Sequence, residues 1–201
     1  VNNTIKKVDS VIHLAALIGI PYSYKSPLAY INTNILGTYN ILESCKQNKI
    51  KNIIVTSTSE VYGSSRYEPM DENHPTESQS PYAASKNSAD ELTKSYFRSF
   101  NLPIKIIRPF NAYGPRQSAR AVIPNIIFQL NNKKIKKVKL GNLTPKRNYT
   151  YVEDLCDAYY KIYNLKKFGE TYNVGTNEKI SIKDLYNLIS VTIGIKKEII
   201  I

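Results

Sequence analysis

Two short stretches of the chain carry side chains of the kind that move hydrogen. Thr58-Ser59-Glu60-Val61-Tyr62-Gly63 sets hydroxyls beside a carboxylate, and Tyr82-Ala83-Ala84-Ser85-Lys86 sets a phenol and an ammonium four residues apart. Residues at that spacing share one face of a helix, so Tyr82 and Lys86 can meet at one ligand. A free phenol titrates near about 10, and bringing it to neutrality takes about three pKa units, or roughly 4 kcal/mol. One close cation at intermediate dielectric supplies that order of energy, and Lys86 is the cation at hand. The hydroxyls of Thr56, Ser57 and Thr58 can hold an oxygen while its carbon is oxidised, and Glu60 can then take a proton from carbon. The Y-x-x-x-K spacing alone is a weak signal, because Tyr163 and Lys167 match it too. Position separates the two matches: Tyr82 follows a buried strand, whereas the second pair lies on a surface-type helix and reads as structural.

Chemistry of this kind needs a scaffold that brings a strand end against a helix, and the hydrophobic pattern predicts one. Val8 to Ala16 reads as a buried strand whose apolar run, Val11, Ile12 and Leu14, closes on the small residues Ala15 and Ala16, where a ligand can approach the backbone. Leu28, Ile31, Ile35, Tyr39 and Leu42 recur at helical spacing, predicting a helix to about Gln47. Lys51 to Ser57 reads as a second buried strand, 64–80 as a loop, 81–100 as a helix opened by Pro81, and Ile104 to Ile107 as a third strand. That alternation predicts a parallel α/β sheet with ligands at the carboxyl ends of its strands. Beyond Arg108 the pattern gives a loop over 109–116, helices over 122–131 and 152–165, strands over 138–140 and 171–174, and a last helix from Ile182 capped by Ser181. The expected division is residues 1–120 for the sheet domain and 121–201 for a smaller, interleaved lobe.

A chain of 201 residues with 42% hydrophobic and 22% charged residues has room for one sizeable core and a small second lobe. The net charge of +12 comes from lysines scattered along the sequence, and even the dense run Lys133, Lys134, Lys136, Lys137 and Lys139 lacks interleaved aromatic platforms. Nucleic acid is therefore not an expected partner. No apolar run approaches the length that spans a bilayer and the first residues lack a signal-peptide pattern, so no membrane partner is expected. Cys45 and Cys156 are too few and too far apart for a disulfide framework or a metal site, which makes the cytoplasm the expected compartment.

Six motifs then fall in one order: His13-Leu14-Ala15-Ala16, Asn32 to Thr38, Thr58 to Gly63, Tyr82 to Lys86, Arg108 to Arg116, and Arg147 to Asp154. In that order they resemble the extended short-chain dehydrogenase/reductases that act on nucleotide sugars, and within them the 4,6-dehydratases. The resemblance implies a Rossmann-like doubly wound parallel sheet with a smaller C-terminal substrate lobe. It also implies NAD as cofactor and a homodimer formed through the helices at 28–47 and 81–100. The family's opening strand, its glycine-rich turn and the acidic residue that reads the adenosine ribose are not in this sequence. Two βαβ steps of roughly 30 residues each would supply them, so the expectation is an internal fragment lacking about 60 residues, inactive and a weak NAD binder by itself. NAD against NADP stays open for the same reason.

By resemblance, Thr58 orients the sugar, Tyr82 is the base for oxidation at C4, Lys86 lowers its pKa, and Glu60 removes the C5 proton. Where glucose-nucleotide dehydratases typically carry an aspartate before this glutamate, the chain has Ser59, as in some other dehydratases and in decarboxylases that make xylose nucleotides. The cofactor would lie against Leu14, Ala15, Ala16, Asn34, Thr56, Tyr82, Lys86 and Pro109. The substrate diphosphate would lie against Asn111, Arg116, Arg120 and Arg147, since diphosphates favour guanidinium forks. No metal is expected, and neither His13 nor His74 is assigned to catalysis. The loop over 114–124 most resembles the branch acting on UDP-N-acetylhexosamines. The rival readings are a 4-epimerase, which has no use for a C5 base, a decarboxylase, and a binding module without turnover.

Overall fold

The computed structural model describes residues 1–201. They form two compact units, Val1–Phe110 with Leu155–Val174, and Asn111–Asp154 with Gly175–Ile201. The break at Phe110 replaces the expected one at 120. Leu155–Val174 returns to the first unit because Thr171–Val174 is a strand of its sheet.

The first unit is built on four parallel strands in the order Ser10–His13, Asn52–Thr56, Ile104–Pro109, Thr171–Val174. Neighbouring parallel strands need crossovers, and helices supply them. Side chains alternate between faces, so Ile53 and Val55 join Leu42, Cys45, Ile50, Tyr96, Leu102 and Ile104 on one side, while Ile54 meets Ile107 and Ile162 on the other. Burying each isoleucine contributes about 1.5–3 kcal/mol, which ties the central strand to helices on both faces. The helix Pro81–Phe100 has proline in its first turn, Ser80 as N-cap accepting from the Ala83 N–H at 3.1 Å, and left-handed Asn101 as its stop. Lys105 is fully buried; its Nζ donates to the Tyr163 carbonyl at 3.0 Å, near the C-terminus of Val152–Asn164, where a cation complements the helix dipole.

Two expectations are corrected here. The strand over 8–16 is only Ser10–His13 and forms the sheet's outer edge, so Ile12 and Leu14 stand 46% and 63% exposed with no strand beyond them. The helical run over 27–47 exists as Pro27–Tyr30, a π-helical segment Ile31–Leu36, and Gly37–Gln47. Its stripe of Leu28, Ile31 and Tyr39 faces outward, because the inward face is Tyr30, Asn34, Thr38, Leu42 and Cys45, partly polar to serve the strand ends.

In the second unit the helices Val122–Asn131 and Ile182–Ile193 share a core of Ile126, Leu130, Val138, Leu140 and Tyr186. Ser181 caps the latter, its Oγ accepting from the Asp184 N–H at 3.0 Å. Asn111–Tyr113 pairs parallel with Tyr149–Tyr151, Lys146–Arg147 antiparallel with Ile180–Ser181, and Lys137–Lys139 parallel with Glu198–Ile200. No helix is long and apolar enough to cross a membrane.

Candidate active site

At the carboxyl end of Asn52–Thr56, three successive residues grip three successive turns of the long helix. The Thr56 carbonyl accepts from Lys86 Nζ at 2.5 Å, the Ser57 hydroxyl donates to Asp90 Oδ2 at 2.8 Å, and the Thr58 hydroxyl hydrogen-bonds the Tyr82 phenol. Tyr82, Lys86 and Asp90 recur every fourth residue on one helix face and are 9%, 4% and 0% exposed. Sequence reasoning placed Thr56, Thr58, Tyr82 and Lys86 together and missed Asp90. The signal was its place on the Tyr82–Lys86 stripe.

Burial pushes the Tyr82 phenol above its usual value; the Thr58 hydrogen bond opposes this, while Glu60, Tyr30 and Asp90 add to the rise. The expected depression by Lys86 is absent among the chain's own groups. The Lys86 ammonium is engaged with Thr56, and burial lowers its own pKa with Asp90 opposing. Asp90 is itself pushed up by burial and pulled back by Arg108, Ser57 and Lys86.

Glu60 sits on the 3₁₀ turn Ser59–Tyr62, whose N-cap Thr58 accepts from the Glu60 N–H at 3.2 Å. The turn closes at Gly63, φ +69°, where a Cβ would collide with the Glu77 carbonyl oxygen. Only glycine meets both demands. Glu60 is half-buried, its carboxylate takes no hydrogen bond or ion pair, and it lies close enough to Tyr82 to raise the phenol's pKa. Ser59 is half-buried beside it.

Asn34, within the π-helical segment, clasps the loop that follows Ser10–His13. Its Oδ1 accepts from the Leu17 N–H at 2.8 Å, and its Nδ2 donates to the Leu17 carbonyl at 3.0 Å and to the Ser85 hydroxyl at 2.9 Å. It therefore supports the loop and the residue before Lys86, not the lysine itself. Single π turns of this kind favour functional sites. Within the loop Leu14 and Ala15 are exposed and Ala16 half-buried, and Pro109 is half-buried at its own strand end. His13 lies 3.2 Å from the Thr38 hydroxyl, and burial, then Lys86, push it down to about 4. His74 is buried, with Nε2 accepting from the Arg66 N–H at 3.0 Å and Nδ1 2.9 Å from the Pro75 carbonyl. Tyr163 and Lys167 have structural partners, Ser10 and Glu170.

The second unit holds a cavity of about 850 Å³ lined by Arg147, Tyr113, Tyr149 and Tyr151 together with Ile123, Ile127, Leu188 and Ile189. The Asn111 amide donates to the Asn148 carbonyl at 3.1 Å, next to Arg147. Arg116 and Arg120 are exposed in the neighbouring loop and are not among the lining residues.

Comparison with known proteins agrees with this fold. A family model described as GDP-mannose 4,6 dehydratase matches residues 1–200. A dTDP-D-glucose 4,6-dehydratase of Dictyostelium discoideum is 41% identical over 192 residues, 90% of this chain and 44% of that protein. The chain spans about half the length of the curated relatives it matches. A solved NAD-dependent NDP-hexosamine 5,6-dehydratase of tunicamycin biosynthesis superposes with a TM-score of 0.91 at 28% identity, over 98% of this chain and 65% of that one. A UDP-glucuronic acid 4-epimerase from Bacillus cereus, in complex with UDP-glucuronic acid and NAD, gives 0.93 at 32% identity, over 99% and 64%. With a parallel Rossmann-like sheet, a strand-end threonine and the Tyr82–Lys86 helix in place, the chain belongs to the GDP-mannose 4,6 dehydratase family, among the NAD-dependent epimerase/dehydratases of the extended short-chain dehydrogenase/reductases.

Proposed function

We propose that the chain carries the catalytic machinery of a nucleotide-sugar 4,6-dehydratase, acting on a UDP-N-acetylhexosamine. The observation that carries this reading is Glu60: a half-buried, unpaired carboxylate near Tyr82 on the turn Ser59–Tyr62, capped by Thr58. The first unit would serve cofactor and chemistry, the second the nucleotide, with Arg147 and Asn111 and the loop arginines Arg116 and Arg120 taking the diphosphate. The strand-end site fits a nicotinamide dinucleotide. Lys86 is a buried ammonium with three donors and one acceptor, which leaves donors for ribose hydroxyls. The exposed backbone at Leu14 and Ala15, with Ala16, Asn34, Thr56 and Pro109, would flank the same ligand. The outward stripe of Leu28, Ile31 and Tyr39 is the face through which two copies would pair.

NAD bound there would supply the acceptor for the C4 hydride and its return to C6. Thr58 holds the C4 hydroxyl, and Tyr82 removes its proton, while Lys86, anchored on the Thr56 carbonyl, holds the ribose hydroxyls beside them. Glu60 then takes the C5 proton, made acidic by the new C4 carbonyl, and hands it through Ser59 to the departing C6 hydroxyl, which leaves as water; reprotonated from solvent, Glu60 returns a proton to C5 as the hydride reaches C6. The rival reading is a 4-epimerase, favoured by the structural likeness to the Bacillus cereus enzyme. One experiment separates them. The chain, extended to the length of its relatives, is incubated in deuterated water with NAD and either UDP-N-acetylglucosamine or dTDP-glucose as probe. Wild type should yield a 4-keto-6-deoxy sugar with deuterium at C5, Glu60→Gln should stop at bound NADH, and Tyr82→Phe should form no NADH. A C4 epimer without 6-deoxy product overturns the dehydratase reading.

A further inference from the structure

Arg108, which opens the motif running to Arg116 but has no role assigned there, forms with Asp90 a buried ion pair that the proposed mechanism does not use. Arg108 is 2% exposed and is among the largest fully buried side chains. Its Nε donates to Asp90 Oδ2 at 3.0 Å and its Nη2 lies 2.9 Å from the same oxygen, which also receives the Ser57 hydroxyl at 2.8 Å. On its other side the guanidinium carbon lies 4.8 Å from the centre of the Tyr62 ring. Tyr62 ends the turn that carries Glu60, and its hydroxyl donates to Asn173 Oδ1 at 2.8 Å. The Asn173 N–H in turn donates to Glu72 at 2.6 Å, so the chain of contacts reaches the 64–80 loop. One guanidinium thus stands between the helix bearing Tyr82 and Lys86 and the turn bearing Glu60.

A buried pair of this kind adds little net stability over apolar residues of the same volume, and Asp90 Oδ1 is left buried without a hydrogen-bond partner. An arrangement that expensive and incompletely satisfied points to placement. We propose that Arg108 and Asp90 are positioning residues that set the spacing between the oxidation site, Tyr82 with Lys86, and the Glu60 carboxylate, so that the second proton abstraction follows the first hydride transfer. The inference rests on the dehydratase reading for its chemistry and on the contacts above for its geometry.

The test uses two variants of the chain extended to the length of its relatives. Arg108→Lys keeps the charge but loses the fork, and the double variant Asp90→Leu with Arg108→Met replaces the pair by apolar groups of similar size. Rapid mixing with NAD and UDP-N-acetylglucosamine or dTDP-glucose reads NADH formation and its decay separately. In both variants NADH should form at close to the wild-type rate, while its decay slows by on the order of a hundredfold, as expected for a misplaced base. Hydrogen exchange supplies the readout that needs no turnover: the Glu60 and Gly63 amides should exchange at least about tenfold faster in the double variant, with the Ile53 and Val55 amides unchanged. If formation and decay of NADH fall together, or if turn protection and chemistry are both unaltered, the positioning role is wrong. If wild type forms no NADH with either probe, the dehydratase reading falls, and the exchange result alone decides whether the pair holds the turn.

Discussion

His13 should act as an internal gauge of the Lys86 charge. It closes the strand Ser10–His13, is 7% exposed, and is pushed down from 6.5 to about 4 by burial first and the Lys86 cation second. An imidazole with a depressed folded value binds fewer protons than it does in the unfolded chain. Its stabilising contribution is therefore complete above 6.5 and is lost as pH falls toward 4. Across that window the depression corresponds to about 3 kcal/mol. His13→Gln keeps a hydrogen-bonding group facing Thr38 and removes the titration. Urea unfolding of both proteins above and below the window should shift their stability difference by about 3 kcal/mol against wild type at low pH, with carboxylates common to both cancelling. The chain has two histidines, so the variant leaves His74 alone in the spectrum and the His13 ring protons are assigned by subtraction. Lys86→Gln should raise the His13 value without restoring 6.5, because burial is the larger cause. A His13 that titrates at its ordinary value, or a stability difference constant across the window, refutes the burial and charge argument together.

Two further outcomes follow from the site. Gly63→Ala forces a side chain at φ +69° into the Glu77 carbonyl; the strain of about 2–5 kcal/mol should lower Tm by roughly 5–15 °C in a thermal melt, and an unchanged Tm would show that the turn relaxes freely. Arg147→Ala removes the arginine lining the second unit's cavity, leaving Lys179; calorimetry with UDP should show affinity reduced by about tenfold to a hundredfold, and unaltered affinity would place the diphosphate elsewhere.

What the sequence made legible follows from how local each signal is. Pro81, Ser80 and the i, i+4 spacing of Tyr82 and Lys86 act within a few residues, so the long helix and the strand end that meets it were readable in advance. The Ser10–His13 strand was read as buried because Val11, Ile12 and Leu14 form an apolar run. Burial, however, depends on what pairs beyond the strand, which no local pattern encodes. The strands of two and three residues in the second unit carry too few positions for an alternation to register. Arg116 and Arg120 looked like a cluster because they are close in sequence, yet of the three arginines, all exposed, Arg147 alone lines the cavity. Asp90 escaped notice, and Arg108 entered only as the first residue of a motif, because their pairing spans 18 residues and two elements and depends on their being buried.

The buried charges around the helix face also bear on how Tyr82 can act as a base. Lys86 and Arg108 are two buried cations, and Asp90, held by the Arg108 fork and Ser57, is the one buried anion between them. With Tyr82 neutral this group carries one net positive charge in a region that disfavours charge; with Tyr82 ionised the group is balanced. Burial wins among the chain's own groups and keeps the phenol protonated. The balance nevertheless means that ionisation requires no new countercharge, only a smaller desolvation cost or one more cation nearby. Glu60 works in the opposite direction, since its carboxylate raises the phenol as long as it is ionised. That opposition would vanish with a neutral carboxyl at Glu60, leaving the Tyr82 phenolate easier to keep. The order that a dehydration through a 4-keto intermediate requires, proton loss from oxygen and then from carbon, therefore comes from the substrate, whose C5 hydrogen becomes acidic only once C4 is a carbonyl.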